Sequence, residues 1–262
     1  MPDKLVIGID IGGTETKGVL LHPSSPRLLA STTQRTPRDR QRLLNVVADL
    51  YRALRQNRQI VGVGLSIAGV VDASAGSIVV AHNLRFLSGW RIASAAQRRL
   101  GVPVRLENDA RCFLLAESTH GAARGKGEAV GVVIGTGIGG AFTISGRVQT
   151  GAHGSAGEFG YMTLSFGRKR ASWEQLGGFK AYRKYGDRSV IVGMGVANLI
   201  NALDPEIVVL GGGGVYSGAI EFPMVRKVAR RLVVLPAARR TPIVRSHLGR
   251  FASAIGAAFL VR

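Results

Sequence analysis

Asp10, Gly12, Gly13, Thr14 and Lys17 fall within the eight residues DIGGTETK. Adjacent glycines let a backbone turn sharply and approach a ligand closely, because no Cβ stands in the way. The N–H groups of such a turn form a concavity suited to anions. Thr14 adds a hydroxyl donor and Lys17 a positive charge. Asp10 offers a carboxylate for hydrated magnesium, a cation that keeps several waters and binds one or two carboxylates beside substrate phosphates. Together these are the parts of a site for nucleotide phosphates. A glycine hairpin ending in an aspartate carries the same letters, and a short glycine motif does not separate the two.

A second glycine centre lies at GTGIGG, with Gly135, Thr136, Gly137, Gly139 and Gly140. It matches G-x-G-x-x-G, but a dinucleotide site requires a helix to follow. Strand-like AFTISG follows instead. Strand, turn and strand repeat the arrangement around Asp10, which points to a duplicated phosphate clamp and away from a dehydrogenase. A third cluster, Gly211 to Gly214, follows the apolar EIVVL and leaves room for a flat ligand such as adenine.

Polar groups for an acceptor come next. Glu107, Asn108 and Asp109 follow the strand-like VPVRL and precede the helical ARCFLLAES. Polar groups at a strand's C-terminal end suit chemistry in an open α/β sheet. They also suit a helix N-cap, although a cap needs one residue only. Asn83 and Trp90 bound a loop that could hold a sugar by an amide and a stacking ring, or be an ordinary surface loop. Glu158 sits between glycines, where a carboxylate can accept from sugar hydroxyls. Glu174 stands at an apparent helix start, where negative charge is favoured in any case. His153 is lone and reads as structural.

These groups need a frame. Residues 5–10 read as a buried strand, with 18–21 and 28–32 as antiparallel neighbours. Residues 40–56 place Leu43, Val47, Leu50, Tyr51 and Leu54 at helical spacing. Residues 60–67 are apolar enough for a central strand. Helices are expected at 93–100, 110–118, 190–203 and 251–261, and strands at 102–106, 206–210 and 241–246. The pattern is α/β with a mixed sheet.

The 262 residues are enough for one large core or two medium lobes, and at 46% hydrophobic and 19% charged they fit a folded soluble protein rather than a disordered chain. One cysteine, Cys112, excludes an intrachain disulfide and a multi-cysteine metal site. No secretory signal and no bilayer-spanning run is read, so a cytoplasmic chain with no membrane partner is expected. The net charge is +19, and no acid occurs after Glu221. Such a surface concentrates nucleic acid, polyphosphate or nucleotides; a general compositional bias toward arginine is the alternative. No helix-turn-helix or zinc-finger pattern points to sequence-specific nucleic-acid binding.

DIGGTETK (10–17), ENDA (107–110), GTGIGG (135–140), GEFGY (157–161) and VVLGGGG (208–214) resemble, in order and spacing, the motifs of the ROK family of sugar kinases and repressors. That family belongs to the actin-like ATPase superfamily. The resemblance implies two ribonuclease-H-like lobes with mixed sheets and an interlobe active cleft. Residues 1–112 plus 247–262 would form the smaller lobe, with the final helix packed back on it, and 113–246 the larger. It assigns Asp10, Gly12, Gly13, Thr14 and Lys17 to one phosphate loop, Gly135 to Gly140 to the other, and Gly211 to Gly214 to adenosine. Asp109 takes the place of the catalytic base. Gly69, Asn83, Asn108, Asp109, Glu158, Tyr161 and Glu174 take substrate-side places. ATP with magnesium held near Asp10, a hexose acceptor and a homodimer are further implications.

Two departures stand out. Tyr161 occupies the place of the family's zinc-binding histidine, and Ser165, Gly167 and Ser172 stand near its cysteine positions, so no zinc site is expected. The chain is also short between Glu174 and Val190. Compact zinc-free members of the family include glucokinases that accept polyphosphate, which makes polyphosphate a second candidate donor. Glucose is the default acceptor, with mannose, fructose, a β-glucoside or an N-acetylated amino sugar as alternatives. A sugar sensor without activity, or a nucleic-acid-binding relative, is the competing class. A repressor is not expected, since only a few residues precede the first phosphate loop. An acyl-phosphate-forming kinase has no specific support.

Overall fold

The computed structural model describes residues 4–166, 169–178 and 188–261. β1 (Leu5–Ile11) is buried along nearly all its length, as an apolar strand flanked on both sides must be. It pairs antiparallel with β2 (Glu15–Leu21), which pairs with β3 (Leu28–Arg35). α1 (Arg40–Arg55) follows. Asp39 caps it, its carboxylate accepting from the Arg42 N–H at 2.8 Å. The predicted stripe from Leu43 to Leu54 is the face it buries.

β4 (Ile60–Ile67) lies parallel on the other side of β1. β5 (Val70–Asp72) and β6 (Ser77–Val80) form a small ribbon ahead of the loop between Asn83 and Trp90. α2 (Ile92–Leu100) leads to β7 (Val104–Asn108), parallel to β4. β7 runs two residues beyond the expected strand, so Glu107 and Asn108 belong to it, and α3 (Asp109–His120) begins at once. The reason is local: the Asn108 side-chain oxygen Oδ1 caps the helix, accepting from the N–H groups of Ala110 and Arg111 at 2.9 and 3.0 Å.

The next sheet repeats the plan. β8 (Ala129–Ile134), β9 (Ile138–Ile144) and β10 (Arg147–Val148) form an antiparallel run. β11 (Thr163–Phe166) and β12 (Lys169–Ser172) form a hairpin that the polar letters did not suggest. α4 (Trp173–Gly177) opens with a capping box between Ser172 and Gln175. α5 (Arg188–Leu203) leads to β13 (Ile207–Gly211), parallel to β8. α6 (Gly213–Tyr216), α7 (Phe222–Leu232) and β14 (Ile243–Arg245), parallel to β13, complete it. The strand orders are β3-β2-β1-β4-β7 and β10-β9-β8-β13-β14. Each sheet thus has one central strand with an antiparallel hairpin on one side and parallel strands on the other.

The chain divides into two compact units: residues up to Ala116 together with those from Phe251 onward, and Glu117–Arg250. Each has its own apolar core, one around β1, β4 and α1 and one around β8, β13 and α5. The small-residue helix α8 (Ala252–Ala258) packs onto β1 and β4 of the first unit. Its contacts explain two glycines. A Cβ on Gly8 would overlap the Ala254 carbonyl, and one on Gly64 the Ala257 carbonyl. Backbone faces backbone there, and neither side can yield cheaply.

Gly64→Ala is therefore expected to cost roughly 1–3 kcal/mol by overpacking. A lowered urea midpoint at unchanged slope is the outcome; an unchanged midpoint would remove this helix–sheet contact from the account.

Candidate functional site

The C-terminal ends of β1, β4 and β7 lie side by side in one sheet. Asp10 is the one partly buried residue of β1, set between the fully buried Ile9 and Ile11 near the strand's end. Lys17 of β2 is its partner on one side and Ser66 of β4 on the other. The Ser66 hydroxyl donates to Asp10 Oδ1 at 2.8 Å. Burial pushes the Asp10 carboxyl above the ordinary aspartate range, against the opposing pull of Lys17 and of the Ser66 bond. A carboxylate so placed gains from a cation at its open oxygen, which is the chemistry of a magnesium ligand.

The sequence reading missed Ser66. Its signal was a lone hydroxyl inside the apolar IVGVGLSI. Asp109 opens α3 at the end of β7, two strands from β1. Strand spacing puts the two backbones roughly 10 Å apart. Beneath them lies Cys112, whose thiol is raised well above its usual range by burial and then by Glu107, Asp10 and Asp109.

The turn after β1 is closed from within. The Gly12 N–H donates to the Glu15 carbonyl at 3.0 Å. The Thr36 hydroxyl donates to the Gly12 carbonyl at 2.8 Å and lies 2.9 Å from the Thr16 hydroxyl. Among the described residues the N–H groups of Gly13 and Thr14 have no hydrogen-bond partner. A Cβ on Gly13 would meet nothing within 4 Å.

The turn between β8 and β9 is built alike. The Gly135 N–H donates to the Gly137 carbonyl at 2.9 Å, and the N–H groups of Thr136 and Gly137 have no partner among the described residues. Gly139 and Gly140 are not turn residues but lie in β9, a correction to the six-residue loop. The Phe159 ring occupies the space a side chain at Gly140 would need. Glu174 fastens this turn: its Oε2 accepts from the Ile138 N–H at 2.9 Å and fills the place of a Gly137 Cβ.

Other expected site residues are distributed as follows. Asn108 is committed to its cap and also donates to the Gly69 carbonyl at 3.0 Å. Gly69 has φ +148°, with the Val80 carbonyl where a Cβ would stand. Asn83 offers its carbonyl to Arg38 at 3.1 Å. Trp90 is partly buried against the first core, with the Arg40 guanidinium 5.8 Å over its ring. Glu158 immediately precedes a short 3-10 turn, Phe159–Tyr161. Tyr161 is 50% exposed, and burial, then Glu174 and Glu158, push its phenol above the usual range, so these three groups share one neighbourhood. Gly211 ends β13, and Gly212, at φ +90°, turns the chain into α6 with the Ile134 backbone packed against it. Gly213 has open space in front of it.

Among the described residues no three His, Cys, Asp or Glu side chains form a metal cluster. Ser165 and Ser172 lie in the β11–β12 hairpin. Gly167, and most of the stretch noted as short, fall outside the described residues.

Comparison with known proteins follows the same lines. A family model described as "ROK family" matches residues 6–173 and 180–262. An N-acetyl-D-glucosamine kinase from Citrobacter koseri is 29% identical over 300 residues, covering 97% of this chain and 98% of that one. The crystal structure of a ROK hexokinase from Thermus thermophilus matches with TM-score 0.80 and 28% identity, covering 98% and 97%. A ROK family glucokinase from Streptomyces griseus, solved with glucose and AMPPNP, matches in fold with TM-score 0.88 at 23% identity, covering 98% and 99%.

An aspartate held above its unfolded pKa weakens the fold once ionised; its favourable contribution exists below the unfolded value and is lost as pH rises through the folded one. Asp10→Asn should therefore raise the urea midpoint at pH 7. The gain should vanish below about pH 4, where Asp10 is protonated folded or unfolded. Equal midpoints at both pH values would contradict this placement of the carboxylate.

Proposed function

This chain belongs to the ROK family, and on that premise we propose that it is a sugar kinase transferring the terminal phosphoryl group of ATP to the 6-hydroxyl of a hexose, with glucose as acceptor. The observation that carries the reading is the placement of Asp10 and Asp109 at one edge of one sheet, beside a turn with unspent N–H donors. The proposal gives the phosphates to the N–H groups of Gly13, Thr14, Thr136 and Gly137 and to Lys17, and the adenosine to Gly211–Gly214. Asp10 is the residue for magnesium, which when bound offsets the phosphate charge. Asn83, Asn108, Glu158, Tyr161 and Glu174 are the sugar-side residues, with Gly69 held by Asn108. Asn108 and Glu174 then act largely by position, since part of each side chain is already engaged.

Catalysis on this reading is positioning plus electrostatic stabilisation. The hexose oxygen attacks the terminal phosphorus in line. A new P–O bond forms as the bond to the bridging oxygen breaks, ADP leaves, and the hydroxyl proton passes to the Asp109 carboxylate. A cytoplasmic homodimer completes the proposal.

Asp109→Ala should retain its urea midpoint and nucleotide affinity and lose roughly 10²–10⁴-fold in sugar phosphorylation. Turnover near the parent's would remove Asp109 as the base. The acceptor is tested by a sugar panel, with N-acetylglucosamine the main competitor to glucose because relatives at this identity carry that name.

The +19 charge favours a second reading in which polyphosphate is also a donor. It predicts turnover with polyphosphate at low salt that falls steeply as salt is added. No turnover there leaves ATP as the donor.

A further inference from the structure

From the last turn of α7 onward the chain runs Arg230-Arg231-Leu232-Val233-Val234-Leu235-Pro236-Ala237-Ala238-Arg239-Arg240. Two arginine pairs frame an apolar tip. Val233 and Ala238 turn inward, while Leu232, Val234 and Leu235 stand 47%, 77% and 54% exposed. Large apolar side chains exposed side by side, rather than singly, mark an interaction surface.

The tip is held out by design of its base. The Asn201 amide donates to the Leu232 carbonyl at 3.1 Å, and its oxygen accepts from the Val234 N–H at 3.0 Å. The Arg239 guanidinium donates to the carbonyls of Val233 at 2.8 Å and Val234 at 3.4 Å. The loop is therefore tied at both ends with its apolar side chains outward.

Beside it lies a cavity of about 280 Å³ lined by Arg226, Arg230, Arg239, Arg240 and Thr241 over an apolar floor including Val233 and Ile243. Arg226 is fixed there, donating through Nε and Nη2 to the Ile243 carbonyl at 3.0 and 2.8 Å. Among the described residues none of the arginines of this region is in an ion pair. No acid occurs from 222 to 262 to supply one.

We propose that this face is a peripheral docking surface for an anionic lipid bilayer, with Leu232, Val234 and Leu235 entering the headgroup–acyl boundary and the arginines gripping lipid phosphates. Basic groups around an apolar tip combine the two forces of interfacial binding, attraction to anionic headgroups and burial of apolar area. A second copy of the chain is disfavoured, because it would set arginine pairs against arginine pairs. Duplex nucleic acid is disfavoured because its phosphates would engage the arginines but leave the exposed Leu232, Val234 and Leu235 in water, whereas a bilayer buries them.

The test is flotation of the full chain with phosphatidylcholine vesicles, with or without about one-third phosphatidylglycerol. Binding to the anionic vesicles alone, weakened by salt, is expected. Arg230→Ser/Arg231→Ser should lower partitioning roughly 30-fold. The same charge change on the exposed end of α2, Arg98→Ser/Arg99→Ser, should change it only a few-fold. Val234→Ser/Leu235→Ser should lower it roughly tenfold at unchanged net charge, and Leu235→Gln alone should act in the same direction; urea midpoints confirm that each variant is folded. Equal losses from the two arginine pairs would reduce the effect to overall charge and overturn the proposal. So would binding indifferent to the Val234 and Leu235 changes, or duplex DNA displacing the protein from vesicles with the serine variant binding that DNA as well as the parent.

Discussion

Each glycine turn spends its first N–H on itself. Gly12 donates across one turn to Glu15, and Gly135 across the other to Gly137. That one bond fixes the loop, and among the described residues the next two N–H groups have no acceptor. An unsatisfied backbone donor is costly where water is excluded and useful where an anion can reach it. Two such pairs, in units that repeat one strand order, make a phosphate-directed reading physically coherent. The neighbouring features serve this constraint: Thr36 bonds the Gly12 carbonyl, and Glu174 takes the Ile138 N–H.

The acidic edge follows from the sheet itself. Parallel strands bring their C-terminal ends to one side, so Asp10, Ser66 and Asn108 arrive together although up to 98 residues separate them in the chain. Lys17 stands beside Asp10 because the hairpin returns next to β1 in register. Asp10 stays raised despite that partner, since burial outweighs the lysine and the serine together. A site that holds a carboxylate at such a cost is unstable by itself and stabilised by a cation, a balance typical of sites arranged for function. Below the edge, α8 closes against β1 and β4 through Gly8 and Gly64, so the strands that carry Asp10 and Ser66 rest on a rigid floor.

Several residues with site-like letters carry structural duties as well. Asn108 caps α3 and holds Gly69. Gly140 is required by Phe159 and Gly137 by Glu174, rather than by the need for a flexible loop. Trp90 packs under Arg40 at the first core. Such residues shape a site without offering it their whole side chains. The β5–β6 and β11–β12 ribbons were illegible because short two-stranded pieces carry too few residues for a clear alternation.

What the chain's letters determined by themselves were the long elements and the order of the motifs. β1, β4 and α1 were legible because continuous apolar runs and a helical stripe each have one economical burial. The glycine turns were legible because strand-like residues follow them where a helix would have made a dinucleotide site. Only the tertiary structure decided that Ser66 holds Asp10, that Glu174 locks the second turn, and that β7 continues to Asn108. It alone decided that Leu232, Val234 and Leu235 face outward, since the same letters read equally well as core. The physical reason is common to all of these: each depends on a neighbour distant in sequence, and neither periodicity nor local propensity carries that information.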